Sequence, residues 1–224
     1  GMKSYGIFQG QADADAYNAE VTHVGAQDVK APGDVKYIDL GRAPSGEETG
    51  QGVWQILEAD GLINNFDNTF LGKQIPGYFG GFNFGGDYKG FDFYINFRFT
   101  GDVQKVFRLG KESINGGNTN FVSDYLNRWT PENPSTTTTR PMHQDRSRNN
   151  VFHDRFVEDA GFLRFQNFQL GYTLNQQMIS RLGISNLRVY LSGMNLFVLT
   201  PFGDLDPENN TTPTNFTVGA NLSF

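Results

Sequence analysis

The stretch YFGGFNFGGDYKGFDFYINFRFT, residues 78 to 100, has the clearest strand pattern in this chain. In its second half every other residue is apolar, namely Phe91, Phe93, Ile95, Phe97 and Phe99. A period of two is typical of a strand with one apolar and one polar face. The first half alternates in the same way, and the YKG sequence between the halves predicts a tight turn. The stretch therefore predicts an antiparallel hairpin with one aromatic face.

Similar patterns elsewhere predict further strands, in all near residues 4–9, 78–88, 91–100, 162–174, 186–200 and 215–224. Within 162–174 the apolar positions change phase, and an extra residue near Gln166 and Asn167 would reconcile the two phases. The segment 186–200 changes phase in the same way. We therefore expect a β-bulge in the middle of this strand pair.

The connections between the predicted strands alternate in length. Short turns and connections of about a dozen residues alternate with longer segments, above all 10–77 and 101–160. Transmembrane β-barrels have short periplasmic turns and longer external loops. The prediction is an all-β fold of antiparallel strands with short periplasmic turns and long external loops, and its aromatic face would meet lipid. A soluble carbohydrate-binding β-sandwich would also bury such a face and is the alternative.

Composition limits the classes of function. The chain has 21 Phe and 27 Gly among 224 residues, a mixture that favours strands and turns over a helical bundle. A net charge of −6 disfavours binding to nucleic acid, which needs clustered cations. The chain has no cysteine, which excludes disulfides and thiolate sites, and it has no run of about 20 apolar residues that would form a membrane helix.

Few residues suggest chemistry. His23, His143 and His153 are isolated from one another, so we expect them in solvent-exposed loops and not in a metal site. Asp60 and Gly61 begin a stretch that distantly resembles a calcium loop, but the pattern would need an oxygen ligand where Ile56 stands. We predict no metal, no cofactor and no catalytic residue, and a secreted hydrolase is a remote third alternative.

Trp129 is the one weak candidate for a ligand contact. It lies in the polar run 127–141, where an indole could stack on a sugar ring. The alternative is that Trp129 is buried and holds the loop in place, with the nearby prolines forming turns.

Several segments, in this order, resemble the C-terminal part of the SusC/RagA family of TonB-linked outer-membrane transporters. They are YGIF at 5–8, GDVKYIDL at 33–40, DGLINNFDNTFLGKQIPGYFGGFN at 60–83, YKGFDF at 88–93, NRWTPENPST at 127–136, DRFVEDAGFLRFQNFQLGYTL at 154–174, LGISNLRVYLSGMNLF at 182–197, DPE at 206–208 and FTVGANLSF at 216–224. The resemblance covers nearly the whole chain. It implies that residues 1–224 are the C-terminal β-barrel segment of a much longer protein.

The resemblance also implies a function for that longer protein. Such transporters import a glycan or peptide nutrient across the outer membrane, with energy from TonB and with a SusD-like lipoprotein as partner. A large plugged barrel has about 22 strands, so five or six strands form about a quarter of its wall. We therefore expect that this chain forms wall and external loops and does not transport alone.

Two departures from the family pattern affect its loops. Twenty residues separate Asp39 from Asp60, where the family has a compact acidic and Gly-rich stretch. The family's Lys and Tyr are also missing before Asp206, Pro207 and Glu208. We expect any ion-binding loop at the first position to be broken, and ligand contacts at the second to be weakened.

The last strand is predicted to be an assembly signal. Barrel assembly machinery, as the resemblance implies, reads an alternating C-terminal strand that ends on an aromatic residue. The residues that match are Phe216, Val218, Ala220, Leu222 and Phe224. An open sheet with an aromatic face also predicts that the isolated chain self-associates in water or needs a detergent-like environment.

Overall fold

The computed structural model describes residues 1–41, 59–107, 123–179, 183–203, 206–208 and 213–224. Its strands are β1 Ser4–Ile7, β2 Thr22–His23, β3 Val35–Tyr37, β4 Leu62–Ile63, β5 Tyr78–Tyr88, β6 Phe91–Gly101, β7 Gln104–Val106, β8 Val157–Asp159, β9 Phe162–Thr173, β10 Asn186–Leu199 and β11 Asn215–Ser223. The helices are α1 Gln11–Glu20 and the short α2 Gln176–Ile179. The prediction of an all-β fold with antiparallel strands is confirmed. Among the described residues, no helix is long and apolar enough to cross a membrane.

The chain divides into two compact units. Unit 1 comprises Gly1–Gly72 and Val106–Val157, and unit 2 comprises Lys73–Lys105 and Glu158–Phe224. Much of the two segments predicted as long loops therefore lies in a unit with its own buried side chains. Strand β1 also lies in unit 1, where it pairs with β3 and not with the long strands. The prediction that β1 adds a sixth strand to the sheet is wrong.

Unit 2 is built on one sheet of five antiparallel strands in the order β11-β10-β9-β6-β5. Tyr88 pairs with Phe91 across a two-residue turn in which Lys89 and Gly90 both have positive φ, 49° and 88°. Such turns match the twist of the strands that they join, and the second position suits glycine. The register places the 88–91 turn, the β9–β10 connection and the end of β11 at the same end of the strands.

The predicted bulge is confirmed. Asn96 pairs with Asn167 and the next residue, Phe97, pairs with Phe165, so Gln166 is the extra residue of β9. Strand β10 is also irregular at this level, where its register against β9 shifts between Met194 and Phe197. The shift returns the apolar residues on both sides of the bulge to one face of the sheet.

Unit 1 has a small core of apolar and aromatic side chains. Met2, Val35, Tyr37 and Ile63 form one buried cluster, and a second consists of Phe8, Ala14 and Tyr17. Helix α1 contributes Ala14 and Tyr17, which lie three residues apart and therefore on the same side of the helix. The Tyr17 hydroxyl donates to the Tyr37 carbonyl at 3.0 Å, which connects the helix to β3.

Candidate functional site: the two faces of the five-stranded sheet

One face of the sheet is apolar across all five strands. The register sets Phe82, Phe97, Phe165 and Phe197 in a row, with ring centroids 5.0, 4.7 and 5.5 Å apart. Phe93 remains 46% exposed and Val218 82% exposed, so the row stands on an open surface. The described part of unit 2 contains no second sheet that covers this face. The alternative of a sandwich core is therefore wrong for unit 2.

Glycines let the aromatic rings lie against the sheet. A Cβ atom added to Gly80 would be 2.9 Å from the Phe99 ring, and one added to Gly86 would be 3.2 Å from the Phe93 ring. Both glycines lie in β5, directly opposite the phenylalanine whose ring they accommodate.

The opposite face is polar and carries a charged strap, the pair of Asp92 on β6 and Arg188 on β10. Arg188 Nε donates to Asp92 Oδ1 at 2.9 Å, and Arg188 Nη2 donates to Gln169 Oε1 at 3.1 Å. Strand β9 lies between the two partners and has Gly171 at the crossing point. A Cβ atom on Gly171 would be 2.5 Å from both Arg188 Nη2 and Asp92 Oδ1, so this close approach requires glycine.

A second charged cluster lies nearer the other end of the polar face. Arg164 of β9 is 4% exposed, and its Nη2 donates to Asp206 Oδ1 at 2.6 Å. The same Nη2 is 3.1 Å from Glu208 Oε2, and Arg98 of β6 donates to Glu208 Oε1. Sequence reasoning recognised the DPE motif at 206–208 but assigned no partner to it. The only available signal was the position of Arg98 and Arg164 on predicted polar faces.

The predicted assembly residues lie at one edge of the sheet. Strand β11 pairs with β10 only, and its outer edge has no partner among the described residues. The five side chains on the apolar face are all exposed, with Phe224 the most exposed at 91%. The members are Phe216, Val218, Ala220, Leu222 and Phe224.

Trp129 is half-buried in unit 1. Its backbone N–H donates to the Thr138 carbonyl at 3.0 Å, and its ring packs so closely on Gly33 that a Cβ there would be 2.8 Å from Cε3. Gly33 has φ +90°, so its conformation and this close packing both favour glycine. The indole Nε1 has no hydrogen-bond partner in the described part of the chain. Whether Trp129 also contacts a ligand stays a prediction.

The prediction of solvent-exposed histidines is wrong for the two whose side chains are described. His153 is 1% exposed, and its ring lies 5.5 Å from Tyr37 and 4.2 Å from Phe156. Burial lowers the pKa of His153 to about 4 and that of His23 to about 3. Tyr37 packs on both histidine rings, and it is far from His153 in sequence, whereas Tyr17 and Phe156 are only six and three residues from the histidines that they contact. His143 has its position in a short 3₁₀ helix.

Lys30 is a buried cation in unit 1. Its Nζ donates to the Ser147 carbonyl at 2.6 Å and lies 4.7 Å over the Tyr37 ring. Burial lowers the pKa of Lys30 to about 7. Four charged groups act on it, with Asp34 and Asp145 attracting the charge and Arg140 and Arg148 repelling it.

The carboxylates of Asp39 and Asp67, near the stretch that resembles a calcium loop, accept hydrogen bonds from backbone N–H groups. Asp39 accepts from the N–H groups of Gly41 and Gly61, at 2.9 and 2.7 Å, which brings together two segments that the twenty-residue separation had suggested were apart. Asp67 is 1% exposed and accepts from the N–H groups of Leu40 and Asn64. The described residues contain no cluster of His, Asp and Glu that could hold a metal ion.

Comparison with known proteins finds relatives among TonB-dependent receptors. TonB-dependent receptor P3 of Formosa agariphila is 29% identical over 169 residues, which is 75% of this chain and 16% of that protein. TonB-dependent receptor P26 of the same organism is 28% identical over 211 residues, which is 94% of this chain and 19% of that protein. The chain thus spans less than a fifth of the length of these curated relatives. No protein-family model matches the chain.

Solved structures agree on the fold. The RagAB peptide transporter matches all of this chain and 22% of the matched chain, with a TM-score of 0.68 and 22% identity. The RagAB peptide importer in its open-open state matches the same shares with a TM-score of 0.65 and 21% identity. By sequence the chain is similar to TonB-dependent receptors, and by fold it matches a segment of the RagAB transporter.

Proposed function

We propose that residues 1–224 form the C-terminal wall and external loops of an outer-membrane importer that takes up a nutrient with energy from TonB. The observation that carries the proposal is the single-layer sheet of unit 2, which is apolar and exposed on one side and polar on the other. In a barrel wall the apolar side meets lipid and the polar side meets the aqueous interior.

The direction of the strands supports a placement in the membrane. The turn 88–91, the β9–β10 connection and residue 224 lie at one end of the strands, and the connection 102–161 leaves from the other end. The first end would face the periplasm and the second the cell exterior.

The relatives support a proposal for the partner and the cargo. RagAB is described as a peptide importer, and the family resemblance implies a SusD-like surface lipoprotein as lid. We propose the same type of partner for the receptor that contains this chain, with a glycan or a peptide as its nutrient. The exposed edge of β11, which ends at Phe224, would pair with barrel assembly machinery during insertion.

Adjacent residues of β11 provide a test of the two faces. Residues 1–224 contain no cysteine, so Val218→Cys and Thr217→Cys each place one thiol in this segment, on the apolar and the polar face respectively, in a receptor whose cysteines elsewhere are replaced by serine. In the membrane-inserted receptor, a fluorophore at residue 218 should be quenched by brominated lipid, and one at residue 217 by aqueous iodide. Equal response of both labels to both quenchers would refute the wall assignment.

Transport by the full-length receptor tests the remainder of the proposal. Cells that express it should accumulate a labelled oligopeptide or oligosaccharide mixture, and an uncoupler or deletion of TonB should abolish accumulation. Uptake that persists without TonB would contradict the proposed energy source. Copurification with a lipoprotein encoded beside the receptor, and its absence when that gene is deleted, would test the partner.

A further inference from the structure

The charged cluster on the polar face begins with two arginines that oppose each other directly. Arg98 of β6 and Arg164 of β9 are cross-strand partners in the antiparallel register. Like charges at directly opposed positions destabilise a sheet unless an anion lies between them. Both guanidinium groups also lie over the Phe162 ring, at 6.0 and 5.4 Å; the Arg98 side chain is 48% exposed and that of Arg164 only 5%.

Segment 206–208, Asp-Pro-Glu, supplies the anions. Glu208 bridges the two arginines, since one of its carboxylate oxygens accepts from Arg98 and the other lies 3.1 Å from Arg164 Nη2. Asp206 Oδ1 accepts from Arg164 Nη2 at 2.6 Å and also from the Glu208 N–H at 2.9 Å. Lys105 Nζ donates to the Pro207 carbonyl. The segment is therefore held against the wall at each of its three residues.

The arginine pair has more binding capacity than segment 206–208 uses. Among the described residues, Arg98 and Arg164 contact the carboxylates of segment 206–208, and Lys105 contacts its Pro207 carbonyl. Arg164 is 4% exposed, yet its Nε–H has no hydrogen-bond partner in the described part of the chain. A buried donor without a partner is costly, and an oxygen of a bound ligand would satisfy it.

We propose that Arg98 and Arg164 form an oxyanion-binding site, that segment 206–208 occupies it as a latch, and that a carboxylate or phosphate group of a ligand competes with the latch. Guanidinium groups bind both kinds of oxyanion through paired hydrogen bonds. The contacts that hold the latch are independent of the proposed function. Access of imported ligands to the site rests on the proposed function, because it requires the polar face to line the interior of the barrel.

Hydrogen exchange of a peptide that contains residues 206–208 tests the latch, in the full chain held in detergent micelles. Arg164→Gln should accelerate exchange there by about tenfold, because it removes two charge-assisted contacts. Arg188→Gln is the matched control, since it breaks the charged strap on the same face and should leave this peptide unchanged. Glu208→Gln should also accelerate exchange, and it keeps both arginines if Arg164→Gln fails to fold.

Competition is tested on the unsubstituted chain with inorganic phosphate and with acetate, each compared with sodium chloride at equal ionic strength. One or both oxyanions should accelerate exchange at 206–208 in a saturable manner beyond the effect of chloride, and the more effective one identifies the ligand chemistry. Equal effects of all three salts would overturn the competition, and unchanged exchange in both Arg164→Gln and Glu208→Gln would overturn the latch. Neither result bears on the lipid and iodide quenching that tests the wall assignment.

Discussion

Replacement of Lys30 with methionine should remove a pH dependence from the stability of unit 1. Lys30 is 1% exposed and its pKa is lowered to about 7 because burial disfavours the charged form. In the unfolded chain the side chain has its ordinary pKa of 10.5. Between these two values the unfolded chain binds a proton that the folded chain lacks, so the free energy of unfolding rises with pH through that window.

The size of the effect follows from the difference in pKa. One pKa unit corresponds to about 1.4 kcal/mol, so a change from 10.5 to about 7 amounts to roughly 5 kcal/mol across the full window. Methionine fills a similar volume without a charge, so Lys30→Met should be more stable than the unsubstituted chain near pH 7. The difference should shrink by pH 10. Burial also raises the pKa of Tyr17 and Tyr37, which opposes stability only above about pH 10 and limits the useful range.

Trp129 provides the assay, because it lies in unit 1 against Gly33. Urea titrations followed by its fluorescence, with Trp54 replaced by Phe, should give unfolding free energies from pH 7 to 10. Lys3→Met is the control, since the Lys3 side chain is 51% exposed and should not alter the slope. If the slopes with and without Lys30 were the same, the inference from its burial would be refuted.

Three further predictions concern the sheet, the buried histidines and the C-terminus. Gly171→Ala should break the charged strap and lower the urea stability of the sheet by about 1–2 kcal/mol, whereas Gly10→Ala, where an added Cβ meets open space, should not. Unit 1 should lose stability as the pH falls from 6.5 towards 4, because the pKa values of His153 and His23 are lowered to about 4 and about 3 and only the unfolded chain gains their protons in that range. His153→Gln should reduce this slope in the Trp129 assay, and His23 should account for the remainder. Phe224→Ser should reduce the amount of receptor inserted in the outer membrane, measured by immunoblot of membrane fractions, and equal insertion of Phe224→Ser and the polar-face control Asn221→Ser would contradict an assembly role.

The sequence alone predicts the two-faced sheet of unit 2, because the two-residue repeat of a strand appears directly as alternation of apolar and polar residues. Phe93 and Phe97 stand two residues apart from their apolar neighbours, so one side of β6 is aromatic whatever lies around it. The phase change in 162–174 likewise requires an extra residue, and Gln166 is that residue. The proposals on cell location and partners rest on the resemblance to SusC/RagA transporters, because periodicity carries no information about either.

Unit 1 and the charged cluster depend on contacts between distant segments. The sequence predicts β1 as one more strand of the barrel wall, but β1 pairs with β3. Local alternation predicts that a segment is a strand and does not predict which sheet it joins. His153 is buried by Tyr37, more than a hundred residues away in sequence, so its isolation in the chain suggested an exposed loop. Arg164 and Asp206 meet because β9 and the segment after β10 come to the same face.

Local patterns in the sequence were enough to predict the five long strands, their two faces and their bulge, because each of these follows from residues within a few positions of one another. The burial of Lys30 and His153, the pairing of β1 outside the five-stranded sheet and the bridge from Glu208 to Arg98 and Arg164 became visible only in the folded chain. These features depend on which distant segments pack together, and their free energies come from desolvation and charge pairing, which exist only once the chain has folded.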